Sequence, residues 1–216
     1  MSFLSSLLDL LFPPKCVFCG KITDDSADSH CVKCAGKLPM TNNGGRSAGD
    51  FFNYCVSPLY YEDDVRKSIL RFKFKGSTYY AGAYGMILAA CIARYVSDRY
   101  DLITWVPLSE KRRRTRGYDQ AMLIALAAAG ELGCEAAETL RKARDTPAQS
   151  EITALSERRA NIMGAYRVAD PSLVEGKSLL LIDDVITSGS TLSECSRVLL
   201  AAGADKIICA TLARAG

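Results

Sequence analysis

At 216 residues with 49% hydrophobic content, the chain can bury one sizeable core and has room for one small appendage. A formal net charge of +3 is too small to argue for nucleic acid by itself. The nine cysteines are an odd number with no secretory signal before them, so reduced thiols in a cytoplasmic protein are a simpler reading than a disulfide framework.

Residues 1–14 contain an apolar run, but the run carries Asp9, lacks a basic leader and stops at Pro13-Pro14. It is too short to cross a bilayer and reads as a short amphipathic helix docking on its own protein or on a partner, with membrane-surface binding the weaker option. Cys16-x-x-Cys19, eleven residues, then Cys31-x-x-Cys34 follows. Paired knuckles of this kind let four thiolates converge on one structural zinc, and the segment between them is too small to fold by apolar burial. His30 stands beside Cys31, but four cysteines already fill the site. A closed four-cysteine site has no open position for catalysis.

Thr41 to Asp50 is polar and glycine-rich without periodicity, and reads as a linker. The expected division is a zinc-binding module with its N-terminal helix over 1–45 and a larger domain over 50–216. Tyr54 to Tyr61 alternates weakly, as a strand does, and Val65, Ile69 and Phe72 fall on one face of a helix. The other faces of that helix carry Arg66, Lys67, Arg71, Lys73 and Lys75, either a solvated basic face or a rim that attracts phosphates. Tyr84, Ile87, Leu88, Cys91 and Tyr95 form a clearer buried stripe. Leu102 to Val106 reads as a buried strand ended by Pro107. A loop from Leu108 to Arg116 then carries five bases before a helix beginning near Gly117. Arginine forks bind phosphoryl oxygens bidentately, so such a loop suits a pyrophosphate; a nucleic-acid or merely solvated patch is the competing reading. From Arg141 to Tyr166 apolar residues are sparse, with a helix expected over Thr153 to Arg159.

Leu179 to Ile182 is an apolar run that reads as a strand buried on both faces, closed by Asp183 and Asp184. Thr187, Ser188, Gly189, Ser190 and Thr191 supply small hydroxyls, a permissive glycine and free N–H groups opening a helix, which together suit a phosphate. Leu192, Cys195 and Leu199 give that helix a buried face. The acids would repel a phosphate unless they face vicinal hydroxyls or a bound magnesium, and a ribose 5-phosphate satisfies both halves. Lys206 to Thr211 reads as a final, well-covered strand.

DDVITSGST resembles the phosphoribosyl pyrophosphate (PRPP) signature of type I phosphoribosyltransferases. The resemblance implies an α/β fold in which helices flank a parallel sheet, with the small zinc module ahead of it. It makes Asp183 and Asp184 the catalytic acids that hold the ribose hydroxyls, and Thr187 to Thr191 the 5-phosphate cradle. It makes Ser109, Lys111, Arg112, Arg113, Arg114 and Arg116 the pyrophosphate loop, and the 141–166 stretch a mobile cover in which Gln149, Ser150, Arg158, Arg159 and Asn161 are the groups of interest.

LLDLLFPPKCVFCG, the second knuckle, FKFKG at 72–76, VPLSEKRRRTRGYDQA, AQSEITALSERRANIMGAY and LLLIDDVITSGST narrow the resemblance to the ComF or GntX-like family of competence-associated proteins. That implies a cytoplasmic PRPP-binding protein that uses magnesium to bind or transfer a 5-phosphoribosyl group to an acceptor the family does not define. The rival implication is a non-catalytic adaptor in DNA uptake, touching a helicase partner and single-stranded DNA.

Overall fold

The computed structural model describes residues 15–23, 30–146 and 160–216. The expected N-terminal amphipathic helix and the Gln149 to Arg159 part of the expected cover lie outside the described residues.

The sheet forms around two continuous apolar runs. Strand β7 (Ser178–Ile186) pairs in parallel with β8 (Lys206–Arg214) on one side and with β4 (Leu102–Trp105) on the other. Beyond β8 lie β2 (Phe52–Val56) and the short β3 (Leu59–Tyr60), both parallel to it, and β1 (Ser47–Gly49) closes that edge antiparallel to β2. The order is β1-β2-β8-β7-β4. A central parallel strand must be apolar on both faces, and Leu179, Leu180, Leu181 and Ile182 are all fully buried. Leu180 and Ile182 enter one core with Ile208 and Ala210, whereas Leu179 and Leu181 enter the other with Ile207 and Cys209.

Helices cover both faces. The first core receives α2 (Asp63–Phe74), α3 (Tyr80–Tyr95) and α5 (Gln120–Leu132). The expected stripe of Val65, Ile69 and Phe72 on α2 is fully buried, as are Tyr84 and Leu88 on α3. The second core receives α6 (Ser190–Ala201), through Leu192, Cys195 and Leu199, and a separate antiparallel pair of strands, β5 (Leu140–Lys142) and β6 (Tyr166–Val168). Burying each of these large aliphatic side chains contributes about 1.5–3 kcal/mol.

Two expectations change. The glycine-rich stretch expected as a linker is a fixed turn: Asn42–Gly45 forms a 3-10 segment, and Ser47–Gly49 is the edge strand β1. Gly44 and Gly45 take left-handed φ values of 65° and 57° and are buried. A Cβ on Gly44 would lie 2.6 Å from the Tyr95 ring, and one on Gly45 2.6 Å from the Ser57 carbonyl oxygen. Here glycine answers to positive φ and close approach. The basic loop, in turn, is largely α4 (Glu110–Arg116), capped at its start by Ser109 and ended by Gly117 at φ 82°.

The four-cysteine module is seated on α2 and α3. Cys31 precedes a single turn, α1 (Val32–Ala35), and Phe18 packs 6.4 Å from the Tyr84 ring. Arg71 of α2 donates through Nη2 to the carbonyls of Val17, at 3.0 Å, and Phe18. Ser68 donates to Val17 as well.

Helices α3 and α5 approach closely, so that a Cβ on Gly85 would lie 2.4 Å from Ala127 Cβ and 2.9 Å from the α5 backbone. Gly85→Ala should therefore lower the thermal midpoint followed by circular dichroism. An open helical site would gain about 1 kcal/mol from the same change, so a raised midpoint would refute the close approach.

Candidate active site and zinc centre

Strand β4 stops before β7 does. Its last ladder pair is Trp105 with Ile182, after which Val106 N–H donates to the Ile182 carbonyl at 2.9 Å and Pro107 has no N–H to continue. Strand β7 runs on to Ile186 against β8 alone, with Asp183 opposite Thr211 and Ile186 opposite Arg214. The acid pair thus lies within the strand, where the sequence reading had it close the strand. The missing neighbour opens a cleft of about 970 Å³ at the carboxyl edge of the sheet.

Asp183, Asp184 and the whole Thr187 to Thr191 run line this cleft. Gly189, at φ 72°, turns the chain into α6, and the Ser188 and Ser190 hydroxyls lie 2.9 Å apart. Across from them, α4 presents Lys111, Arg112, Thr115 and Arg116. The helix divides the basic run: residues 111 and 115, and 112 and 116, are one turn apart, whereas Arg113 and Arg114 fall outside the lining. Arg114 instead pairs with Glu110 at 3.4 Å on the exposed side. Ser109 is buried, donates to Asp145 Oδ1 at 2.6 Å and accepts from the Arg112 N–H at 3.4 Å, so its hydroxyl braces the helix start.

The electrostatics of the cleft follow from crowding. Burial first, and the neighbouring Asp184 carboxylate second, push the Asp183 carboxyl up to about 8, against the pull of Lys73. Lys73, from α2, meets Asp184 Oδ1 at 2.8 Å. Arg116 donates to Gln120 Oε1 and lies 4.9 Å over the Phe74 ring; burial lowers its pKa from the usual guanidinium value. Asp119 is buried, and burial raises its pKa although the N–H groups of Leu108, at 2.7 Å, and Met122, at 3.2 Å, both donate to it.

Six cleft residues carry no individual role in the sequence reading: Asp119, Gln120, Lys142, Asp145, Thr146 and Tyr166, the last four falling within the expected 141–166 cover. Lys142 lies 5.2 Å over the Tyr166 ring, and burial lowers its pKa. Gln120 Nε2 and Thr146 Oγ1 are buried without a hydrogen-bond partner among the described residues. The signal for Gln120 was its place directly after a capping aspartate at a helix start. Lys142 lies on β5, far from the signature, and local pattern gave no sign of it. Asn161, at the far end of the expected cover, contributes its carbonyl oxygen to Arg144 at 3.3 Å.

The metal centre matches its reading. The Sγ atoms of Cys16, Cys19, Cys31 and Cys34 all lie within 4.8 Å of one another, with Cys19 and Cys31 at 3.8 Å. Four sulfurs around one zinc would stand about 3.8 Å apart, given a Zn–S distance of about 2.3 Å. Burial opposes ionisation of Cys16, Cys19 and Cys34 and raises the last two thiols, whereas backbone donors at Cys19, Cys31 and Phe18 bring Cys16 down to about 7, toward the thiolate a metal needs. The other five cysteines lie outside this cluster.

Residues 119–216 match the phosphoribosyl transferase domain, and residues 7–50 the double zinc ribbon domain. The DNA utilization protein YhgH of Salmonella typhi is 35% identical over 52% of this chain and 50% of its own. Competence protein F of Haemophilus influenzae is 28% identical over 94% of this chain and 85% of its own. The chain is thus similar to relatives named for DNA utilization and for competence. The chain spans about half the length of the first curated relatives it matches. Among solved structures, glutamine PRPP amidotransferase of B. subtilis is 21% identical over 63% of this chain and 26% of that one, with a TM-score of 0.43. The fold is that of a phosphoribosyl transferase domain, helices flanking a mostly parallel sheet, with a four-cysteine zinc ribbon ahead of it whose zinc is structural. Among the described residues no helix is long and apolar enough to cross a membrane.

Stripping the metal with a strong chelator should release one zinc per chain, read by metal analysis, and lower the thermal midpoint, because structural zinc in small modules supplies about 10–16 kcal/mol. Retention of the full midpoint after zinc loss would contradict a structural role.

The acid pair predicts a pH dependence of stability. Folded Asp183 keeps its proton up to about pH 8 while the unfolded chain loses it near 3.8, so the folded state binds more protons in between. That contribution to stability is complete below about pH 3.8 and is lost as pH rises through about 8. Asp183→Asn removes the effect, so in melting curves the variant should exceed the wild type by several degrees at about pH 9, the gap closing toward about pH 4. Parallel pH profiles would contradict it.

Proposed function

We propose that the cleft binds PRPP with magnesium and transfers its 5-phosphoribosyl group, in a cytoplasmic protein divided into a zinc-binding module over 1–45 and a phosphoribosyltransferase-like domain over 50–216. One observation carries this reading. An acid pair, a hydroxyl-rich helix start and a row of cations share one cleft at the carboxyl edge of the central strand.

In this reading Asp183 and Asp184 accept hydrogen bonds from the two free ribose hydroxyls, and the ionised Asp184 offsets positive charge building on the ring. The hydroxyls of Thr187, Ser188, Ser190 and Thr191 and the N–H groups opening α6 hold the 5-phosphate. Lys111, Arg112 and Arg116 take the negative charge of the departing pyrophosphate, while Ser109 holds α4 in place for them. Arg113 and Arg114 have no direct part, since they fall outside the lining. The donor set suits a hard divalent cation: two adjacent carboxylates face the cleft, and one already accepts a cationic side chain. Magnesium, when bound, neutralises pyrophosphate charge. Positioning and electrostatics supply the acceleration without a protein nucleophile.

A second reading keeps PRPP binding but removes turnover, making the chain an adaptor in DNA uptake that touches a helicase partner and single-stranded DNA. It draws on the relatives' names and on Phe74 and Tyr79, 66% and 59% exposed beside Lys73 and Lys75. Its zinc module would offer the exposed Ile22, Val32 and Met40 to the partner.

Calorimetric titration of PRPP into zinc-loaded protein, with and without magnesium, tests the site. Magnesium-dependent binding is expected, weakened more than about 100-fold in Asp183→Asn/Asp184→Asn, since each lost charged hydrogen bond contributes about 1.5–3 kcal/mol. No heat from a folded wild type would sink the ribosyl reading. Pyrophosphate release in a screen of bases and amines then separates turnover from binding alone.

A further inference from the structure

We infer that Lys73 is the resident counterion of the acid pair, and that a divalent cation must displace its ammonium from Asp184 before it can bind there. The inference deepens the reading of the cleft as a magnesium-dependent ribosyl phosphate site and rests on it for the identity of the natural metal.

The two charges come from elements far apart in the chain. Lys73 lies in the last turn of α2, Asp184 near the end of β7, and their atoms meet at 2.8 Å with side chains only 20% and 13% exposed. A pair this enclosed persists because each charge answers the other; removing one partner leaves a buried charge uncompensated. Arg116 also lies near enough for its charge to act on Asp184, but its guanidinium is engaged by Gln120 Oε1 and the Phe74 ring. Among the described residues, Lys73 is therefore the cation in direct contact with the acid pair.

Lysine suits displacement better than arginine. Its charge is a compact ammonium on a flexible four-carbon stem, with no fork to lock it on the carboxylate. The cleft lies directly alongside, since Lys73, Phe74 and Gly76 all line it. An ammonium and a divalent ion seek the same oxygens of Asp184, so the two compete. Lys73 would thus set how much metal the site requires and keep Asp184 neutralised while no ligand is present.

The test uses the full zinc-loaded chain and manganese alone, without PRPP, with free ion followed by electron paramagnetic resonance. Lys73→Met is expected to bind manganese about tenfold more tightly than wild type or better, and Lys73→Gln to shift the same way. Lys73→Arg, which keeps the charge, should stay near wild type. The gain should vanish in Lys73→Met/Asp184→Asn. Equal affinity in wild type and both neutral variants, each shown folded by circular dichroism, would overturn the inference, as would a gain that survives Asp184→Asn. A wild type that takes up no PRPP with magnesium would overturn the ribosyl reading while leaving the manganese competition intact.

Discussion

Two carboxylates on consecutive residues, inside a strand whose neighbour has ended, repel each other, and the candidate site is arranged around that repulsion. Asp183 answers it by holding its proton, and Asp184 by taking Lys73. The second answer requires a wall close by. That wall is α2, which the apolar stripe of Val65, Ile69 and Phe72 holds against the sheet face. The ordinary forces of the core therefore set a distance on which the electrostatics of the cleft depend. Stability surrendered to keep two acids half-buried is the cost expected where a fold builds a functional site.

The opening itself follows from a one-sided strand. Proline after a short β4 removes the donor that would have continued the ladder, so β7 keeps one neighbour where the acids lie and two where its leucines lie. The leucines need burial on both faces; the acids need one open edge. Length mismatch between β4 and β7 provides both within nine residues of β7, and α6 begins immediately afterward with its N–H groups toward the same space.

Much of this was legible in the sequence because it is local. The buried run before Asp183, the hydroxyl loop, the stripes of α2, α3 and α6 and the cysteine knuckles are patterns confined to short windows, and the structure reproduces them. What failed was meaning that depends on contact. Gly44 and Gly45 look like flexibility when read alone, and turn out to be the only side chains small enough to lie under Tyr95 and beside Ser57. The basic run from Lys111 to Arg116 reads as one cluster, yet helical spacing sends Arg113 and Arg114 away from the cleft. Lys73 was read as part of a basic face, and nothing short of the fold could place it on a carboxylate 111 residues away. Lys142 and Gln120 escaped for the same reason.

The zinc module is more than an appendage. Arg71 and Lys73 stand two residues apart on α2 and so point to different sides of it. Arg71 grips the carbonyls of Val17 and Phe18, which belong to the first knuckle, and Lys73 grips Asp184. One helix thus has the metal-ordered knuckle on one flank and the acid pair on the other. Zinc fixes the knuckle, the knuckle's carbonyls fix the Arg71 side of α2, and α2 sets how far Lys73 reaches. A small metal site without any open coordination position can in this way support the geometry of a cleft whose residues it does not touch, which gives a physical reason for joining the two parts in one chain.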